Sequence, residues 1–204
     1  MNPDKRELIA FLVECEAVQF GEFTLKSGDK SPFFVDLGRV CSGKALDFLG
    51  RRLARGVKQH FPGAKLLFGP AYKGIALASA AAQGCWAEDQ RDMPVCYNRK
   101  EAKGHGEKGL YIGQLPTKED QVVIIDDVLS SGGTKLESAH AIEQAFGVKP
   151  VGVLVTVDRT RKDAGYDHAA LPAHALATLH DLADFLTERH DERAELVRKF
   201  WEGK

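Results

Sequence analysis

The chain has 204 residues, 44% hydrophobic and 28% charged, an ordinary globular composition with length enough to bury one sizeable core. Its 28 Lys and Arg against 29 Asp and Glu leave a formal charge of −1, so no overall basic excess draws it to nucleic acid or an anionic membrane, and any basic site must be local. The opening Met1 to Glu7 has no apolar stretch of the secretory kind, and the longest apolar run, Ile75 to Ala82, falls far short of the ~18 residues that cross a bilayer. A soluble cytoplasmic protein without nucleic-acid or membrane partners is expected, and Cys15, Cys41, Cys85 and Cys96, widely spaced, read as reduced thiols rather than a disulfide framework or zinc site.

Asp4 to Glu16 reads as a helix with Leu8, Ile9, Leu12 and Val13 on one face, and Asn2 or Asp4 as its cap. Gly21 to Val35, aromatic and alternating with breaks at Gly28 and Pro32, suggests strand and hairpin. Ser42 to His60 spaces Leu46, Leu49, Leu53 and Val57 by threes and fours, a second helix. Lys65 to Phe68 is a short buried strand ending at Gly69-Pro70, Ile75 to Gln83 a tightly packed helix of small residues, and Val95 to Tyr97 another strand. Beyond the charged, glycine-rich Arg99 to Gly109, Gln121 to Val128 carries Val-Val-Ile-Ile, the mark of a central strand covered on both faces. A helix over Thr134 to Phe146, strands at Val151 to Val157 and Ala175 to Leu179, and helices over Asp181 to His190 and Asp191 to Trp201 complete the chain. Strands alternating with helices predict an α/β fold, a mostly parallel sheet flanked by helices. The chain reads as one domain over 1–204, in which residues 1–40 form an N-terminal helix and hood.

The most informative segment is Val122-Val123-Ile124-Ile125-Asp126-Asp127-Val128-Leu129-Ser130-Ser131-Gly132-Gly133-Thr134, running into a helix. A glycine and hydroxyl loop at the carboxyl end of a strand presents backbone N–H groups at a helix N-terminus, which suits a phosphate monoester. Asp126 and Asp127 would repel that phosphate, so they make sense as acceptors for sugar hydroxyls or as partners of a metal or cation beside it. No Walker A loop is present, and Gly104 to Gly109, although it matches G-x-G-x-x-G, follows a charged run rather than an apolar strand.

This segment resembles the phosphoribosyl-pyrophosphate (PRPP) signature of the type I phosphoribosyltransferases. Phe20 to Gly28 with Ser31-Pro32-Phe33-Phe34, then Phe68 to Ile75, then Asn98 to Gly106, and Asp158-Arg159 are similar to segments of the orotate phosphoribosyltransferases, in family order. Two positions depart from the family's pattern: Ser130 stands where a Thr is usual and keeps a hydroxyl, whereas Gly133 replaces a second Thr and keeps only its backbone donor.

The resemblance implies the type I phosphoribosyltransferase fold and transfer of a phosphoribosyl group from PRPP to orotate with Mg2+. It implies PRPP contacts from Lys26, Tyr72, Lys73, Arg99, Lys100, Lys103 and His105. To these it adds Asp126, Asp127, Val128, Leu129, Ser130, Ser131, Gly132, Gly133 and Thr134. Catalysis falls to Lys103, Lys100, Arg99, His105, Asp126 and Asp127, with Lys103 the most critical. Orotate is expected against Phe33, Phe34, Val35, Ser130 and Arg159, whose planar fork matches a carboxylate. Mg2+ is expected to be held mainly through PRPP, with no protein cage.

By composition alone Arg99 to Gly109 is a solvated loop; with the resemblance it becomes a mobile catalytic lid over 99–109 that excludes water and stabilises the departing pyrophosphate. The family also implies a homodimer in which this loop reaches the neighbouring subunit's site. Two alternatives compete: a transferase for a purine base, to which Arg159 offers no carboxylate to bind, and a PRPP-sensing regulator, against which Lys100, Lys103 and His105 speak.

Overall fold

The computed structural model describes residues 1–25, 28–101 and 109–203. The expectations for Lys26, Lys103 and His105, and most of the lid, lie outside the described residues. The chain opens with α1 (Pro3–Glu14), whose cap is Asn2: its side chain accepts from the Asp4 N–H. Next come β1 (Val18–Thr24) and β2 (Lys30–Val35), an antiparallel pair forming a small sheet of its own. The hairpin expected over Gly21 to Val35 is therefore present. Helix α2 (Gly43–His60) follows, capped by Ser42 and burying Leu49, Leu53 and Val57.

Then come β3 (Leu66–Gly69), α3 (Lys73–Asp89), β4 (Val95–Asn98), β5 (Tyr111–Gly113), β6 (Val122–Leu129) and α4 (Gly133–Phe146). The chain closes with β7 (Gly152–Asp158), β8 (Ala173–Thr178), α5 (Leu179–Glu188) and α6 (Arg193–Trp201). The main sheet has the order β5–β4–β3–β6–β7–β8, parallel except for β5 at its edge. Strand β5 escapes the sequence pattern because three residues are too few to show a period of two. Helix α3 runs from Lys73 to Asp89 rather than Ile75 to Gln83, since the small apolar residues mark only its packed middle.

Alternation along the strands builds two cores. Leu67, Val123, Ile125, Leu154 and Ala177 pack with buried residues of α1, α2, α3 and α5, whereas Leu66, Phe68, Val122, Ile124, Val153 and Val155 pack with Ile142 of α4. Helices α2 and α3 approach so closely that a Cβ on Gly50 or Gly84 would overlap the facing backbone. From β3 the chain crosses by α3 to β4, and from β6 by α4 to β7, in opposite directions along the sheet. A crevice therefore opens beyond the carboxyl ends of β3 and β6, where such sheets bind ligands. Among the described residues no helix is long and apolar enough to cross a membrane.

Candidate active site

Two turns meet at that crevice. The first follows β3, where Tyr72 precedes α3 and Lys73 opens it; the Ala71 N–H donates to Asn98 Oδ1 at 2.9 Å, tying this turn to the end of β4. Lys100 lies with its ammonium 4.6 Å from the centre of the Tyr72 ring, beside the turn that leads into Lys73. Arg99 is half-buried beside them, its N–H donating to the Leu110 carbonyl at 2.7 Å.

The second turn joins β6 to α4. Gly132 has φ +78°, which a glycine adopts freely, and a Cβ there would overlap the Tyr166 ring. No side chain of the N-cap residue caps α4, and the backbone N–H groups of such a helix N-terminus suit an anion. Ser131, Gly133 and Thr134 are exposed around it, and a Cβ on Gly133 would have open space. Val128 and Leu129 belong to the strand itself, Leu129 buried and Val128 partly so.

The two carboxylates are anchored in parallel fashion. Asp126 accepts the Asp127 N–H at 2.9 Å on one oxygen and Lys135 Nζ at 2.6 Å on the other. Asp127 accepts the Val128 N–H at 2.7 Å, and its other oxygen lies 3.3 Å from Lys73 Nζ. Lys73 also meets Asp36, beyond β2, at 2.8 Å. The Lys73 hydrogen bond holds the Asp36 carboxyl below its ordinary value against the opposing effect of burial. Burial acts to lower the Lys73 ammonium, and its two carboxylate partners outweigh this and raise it. For Asp126 burial wins: its carboxyl is pushed up although Lys135 opposes the shift.

Arg159 directly follows β7, beside the loop between β6 and α4. Its N–H donates to the Leu129 carbonyl at 2.9 Å, and Thr160 Oγ1 next to it donates to the Ser130 carbonyl at 3.0 Å. The side chain is only 7% exposed, yet Nε and Nη2 are buried without a hydrogen-bond partner. The guanidinium carbon lies 5.6 Å from the centre of the Phe33 ring and 5.3 Å from that of Phe200. Burial pushes this guanidinium down from its ordinary value, and among the described residues no anion offsets it. Strand alternation separates the three residues expected against orotate on β2: Phe33 and Val35 are buried on one face, and Phe34 turns to the other, against Phe23 with centroids 5.6 Å apart.

Asp36, Lys135, Phe200 and Tyr166 were not anticipated. Lys135 had a signal, since spacings of four and seven place it on the α4 face that packs Ala139 against the core and buries Ile142. The others reach the site only through the tertiary fold.

A glycine and hydroxyl loop at the switch point of a parallel sheet, directly after two adjacent carboxylates, fits a phosphoribosyltransferase, and residues 42–169 match the phosphoribosyl transferase domain family. Over 99% of its length the chain is 37% identical to the orotate phosphoribosyltransferase of Salmonella arizonae, covering 98% of that protein. The crystal structure of the Francisella tularensis orotate phosphoribosyltransferase superposes with a TM-score of 0.77 at 27% identity, covering 95% of this chain and 96% of that one. The structure of Leishmania donovani UMP synthase gives 0.82 at 29% identity, covering 98% of this chain and 42% of that longer one. The chain belongs to the orotate phosphoribosyltransferase family.

Proposed function

We infer that this chain transfers the 5-phosphoribosyl group of PRPP to orotate, yielding orotidine 5′-monophosphate and pyrophosphate in pyrimidine biosynthesis. The observation that carries the choice of base is Arg159: a buried guanidinium with two unpartnered donors beside the phosphate loop calls for a planar anion, and orotate brings a carboxylate where a neutral purine brings none. The 5′-phosphate sits on Ser130, Ser131, Gly132, Gly133 and Thr134, the ribose hydroxyls on Asp126 and Asp127. The pyrophosphate lies toward Tyr72, Lys73, Arg99 and Lys100, with Lys26, Lys103 and His105 joining it.

The bond from C1 of the ribose to the pyrophosphate oxygen breaks, its electron pair leaving on that oxygen. The ring nitrogen N1 of orotate, its proton passing to solvent water, bonds to the opposite face of C1 and inverts it. Positive charge at C1 and negative charge on the leaving oxygens both grow in the transition state, so Lys73, Lys100 and Lys103 stabilise it more than the ground state.

Among the described residues no three His, Cys, Asp or Glu side chains group as a metal centre, and the ammonium of Lys73 lies between Asp36 and Asp127. Mg2+ would be held mainly through PRPP and, when bound, would supply neutralisation of the pyrophosphate charge. By family resemblance we assign a homodimer in which the loop over 99–109 reaches the partner's site, working in the cytoplasm.

The test is loss of orotate absorbance on adding PRPP and Mg2+, repeated with Lys103→Ala and with a purine base. Orotate-dependent turnover that collapses in the variant is expected. A folded protein that consumes no orotate refutes the reading, and purine turnover redirects it.

A further inference from the structure

Lys135 is a misfit by every local rule. It stands in the first turn of α4, where the helix dipole disfavours a cation, and its side chain is 6% exposed, although a buried ammonium costs several kcal/mol unless well paired. Its ammonium is spent on the ribose carboxylates: 2.6 Å from Asp126 Oδ2 and 4.0 Å from Asp127 Oδ1. The two carboxylates have equivalent anchors, a backbone N–H on one oxygen and a lysine on the other, but the lysines differ. Lys73, 39% exposed and shared with Asp36, opens onto the crevice, whereas Lys135 lies beneath it and has nowhere else to go.

We propose that Lys135 is a positioning residue for sugar recognition: from behind the phosphate loop it locks Asp126 in one orientation as the permanent acceptor for a ribose hydroxyl. Lys73 then holds Asp127 only until the pyrophosphate draws it away. Each Asp126 oxygen keeps an unused lone pair with its single partner in place, so a doubly anchored carboxylate accepts hydroxyls without reorganising. The charged groups around Asp126 are Lys135 from α4 and Asp127 beside it on β6, with Lys73 from α3 and Asp36 beyond β2 in contact with Asp127. Burial and Asp127 both push the Asp126 carboxyl toward its neutral form, and Lys135 is the cation that opposes them. The inference rests on the assignment of Asp126 to the ribose.

The test compares ribose 5-phosphate with inorganic phosphate, which the loop binds without using Asp126. Calorimetry on the full chain should show wild type preferring the sugar phosphate. Lys135→Met should reduce that preference about tenfold while leaving phosphate affinity within about twofold, the size of a lost charge-assisted contact. In the steady state KM for PRPP should rise about tenfold with kcat within about threefold, and Lys135→Arg should recover most of both. A preference unchanged in Lys135→Met, or equal losses for phosphate and sugar phosphate, overturns the proposal. Should Lys135→Met fail to fold, Lys135→Gln, which keeps a donor and removes the charge, must lower the preference at least threefold or the proposal falls. A wild type that turns over orotate yet shows no preference for the sugar phosphate removes the ribose assignment and this inference together, leaving the activity standing.

Discussion

Arg159 offers a perturbation whose effects on stability and on activity should have opposite signs. Among the described residues nothing accepts a hydrogen bond from its buried Nε and Nη2. Each unsatisfied buried donor costs roughly 1–3 kcal/mol, only partly offset by the contacts with Phe33 and Phe200, which contribute about 0.5–2 kcal/mol. Arg159→Met keeps the length and flexibility that fill the space and removes the orphaned donors, so the ligand-free variant should gain about 1 kcal/mol. For a chain of this size that is roughly 2–4 °C in Tm.

The same change removes a bidentate partner for the orotate carboxylate. Truncating one side of such a buried pair costs about 2–5 kcal/mol, and taking about 3 kcal/mol predicts a ~150-fold fall in kcat/KM for orotate. KM for PRPP should stay within about twofold, because the phosphate loop does not use the Arg159 side chain. Thermal unfolding without ligand and initial rates at saturating PRPP measure both quantities. A variant that is less stable and binds orotate normally would show Arg159 to be a packing residue, and the choice of orotate would lose its support.

Three smaller changes test the surroundings. Gly133→Thr fits, since a Cβ there meets nothing within 4 Å, and the restored hydroxyl should lower KM for PRPP about two- to tenfold, the range of one hydrogen bond; an equal or higher KM counts against it. Gly132→Ala should cost about 1–3 kcal/mol and most of the activity, because φ +78° strains a Cβ that also overlaps Tyr166; a fully active, equally stable variant would mean the loop is not held as described. Burial raises the Asp181 carboxyl, but hydrogen bonds from Lys5 and Thr178 outweigh it and hold it below the ordinary value. Its contribution is therefore full above the unfolded value of about 3.9 and lost as pH falls through the lower native one, so Asp181→Asn should show a shallower acid decline in Tm than wild type. Parallel Tm curves between pH 2 and 7 would contradict this.

What the sequence made legible was local or periodic. The Val122 to Ile125 run could only be an interior parallel strand, and the glycine and hydroxyl residues after Asp127 could only be useful at its carboxyl end. What it hid depended on contacts between distant segments. Asp36 reads as a loop residue until the hood swings it onto Lys73, and Phe200 as one face of a terminal helix until α6 brings it onto Phe33, the ring centroids 5.1 Å apart. Lys135 was hidden differently: its spacing placed it on the buried face of α4, but residue type argued for solvent, and only a carboxylate reaching back from β6 resolves that conflict. Likewise Phe33, Phe34 and Val35 read as one pocket-lining patch, although the pleat of β2 sends Phe34 away from its neighbours.

Among the described residues the crevice pairs Asp36, Asp126 and Asp127 with Lys73 and Lys135, and substrate binding must rearrange the Lys73 pairs. Lys73 bridges Asp36 and Asp127, so removing it takes away the cation between them and leaves Asp127 only Lys135, 4.0 Å away. Lys73→Ala should weaken PRPP through the lost pyrophosphate contact, and a solvated lysine at the mouth of the site would do as much. The pH dependence separates the two cases. The Asp36 carboxyl is held low chiefly by its hydrogen bond to Lys73, so in wild type this pair stabilises the fold above the unfolded value of about 3.9 and the effect fades as pH falls through the lower native one. Without Lys73 that contribution disappears and mutual repulsion favours protonation, so the variant should be less stable than wild type near pH 7 and approach it below about pH 4. Asp36→Asn in the same background should recover part of the neutral-pH loss by removing one of the two charges. If Lys73→Ala lowers Tm equally at all pH values, or if Asp36→Asn recovers nothing, Lys73 does not bridge the two carboxylates in solution, and its release by pyrophosphate is not part of substrate binding.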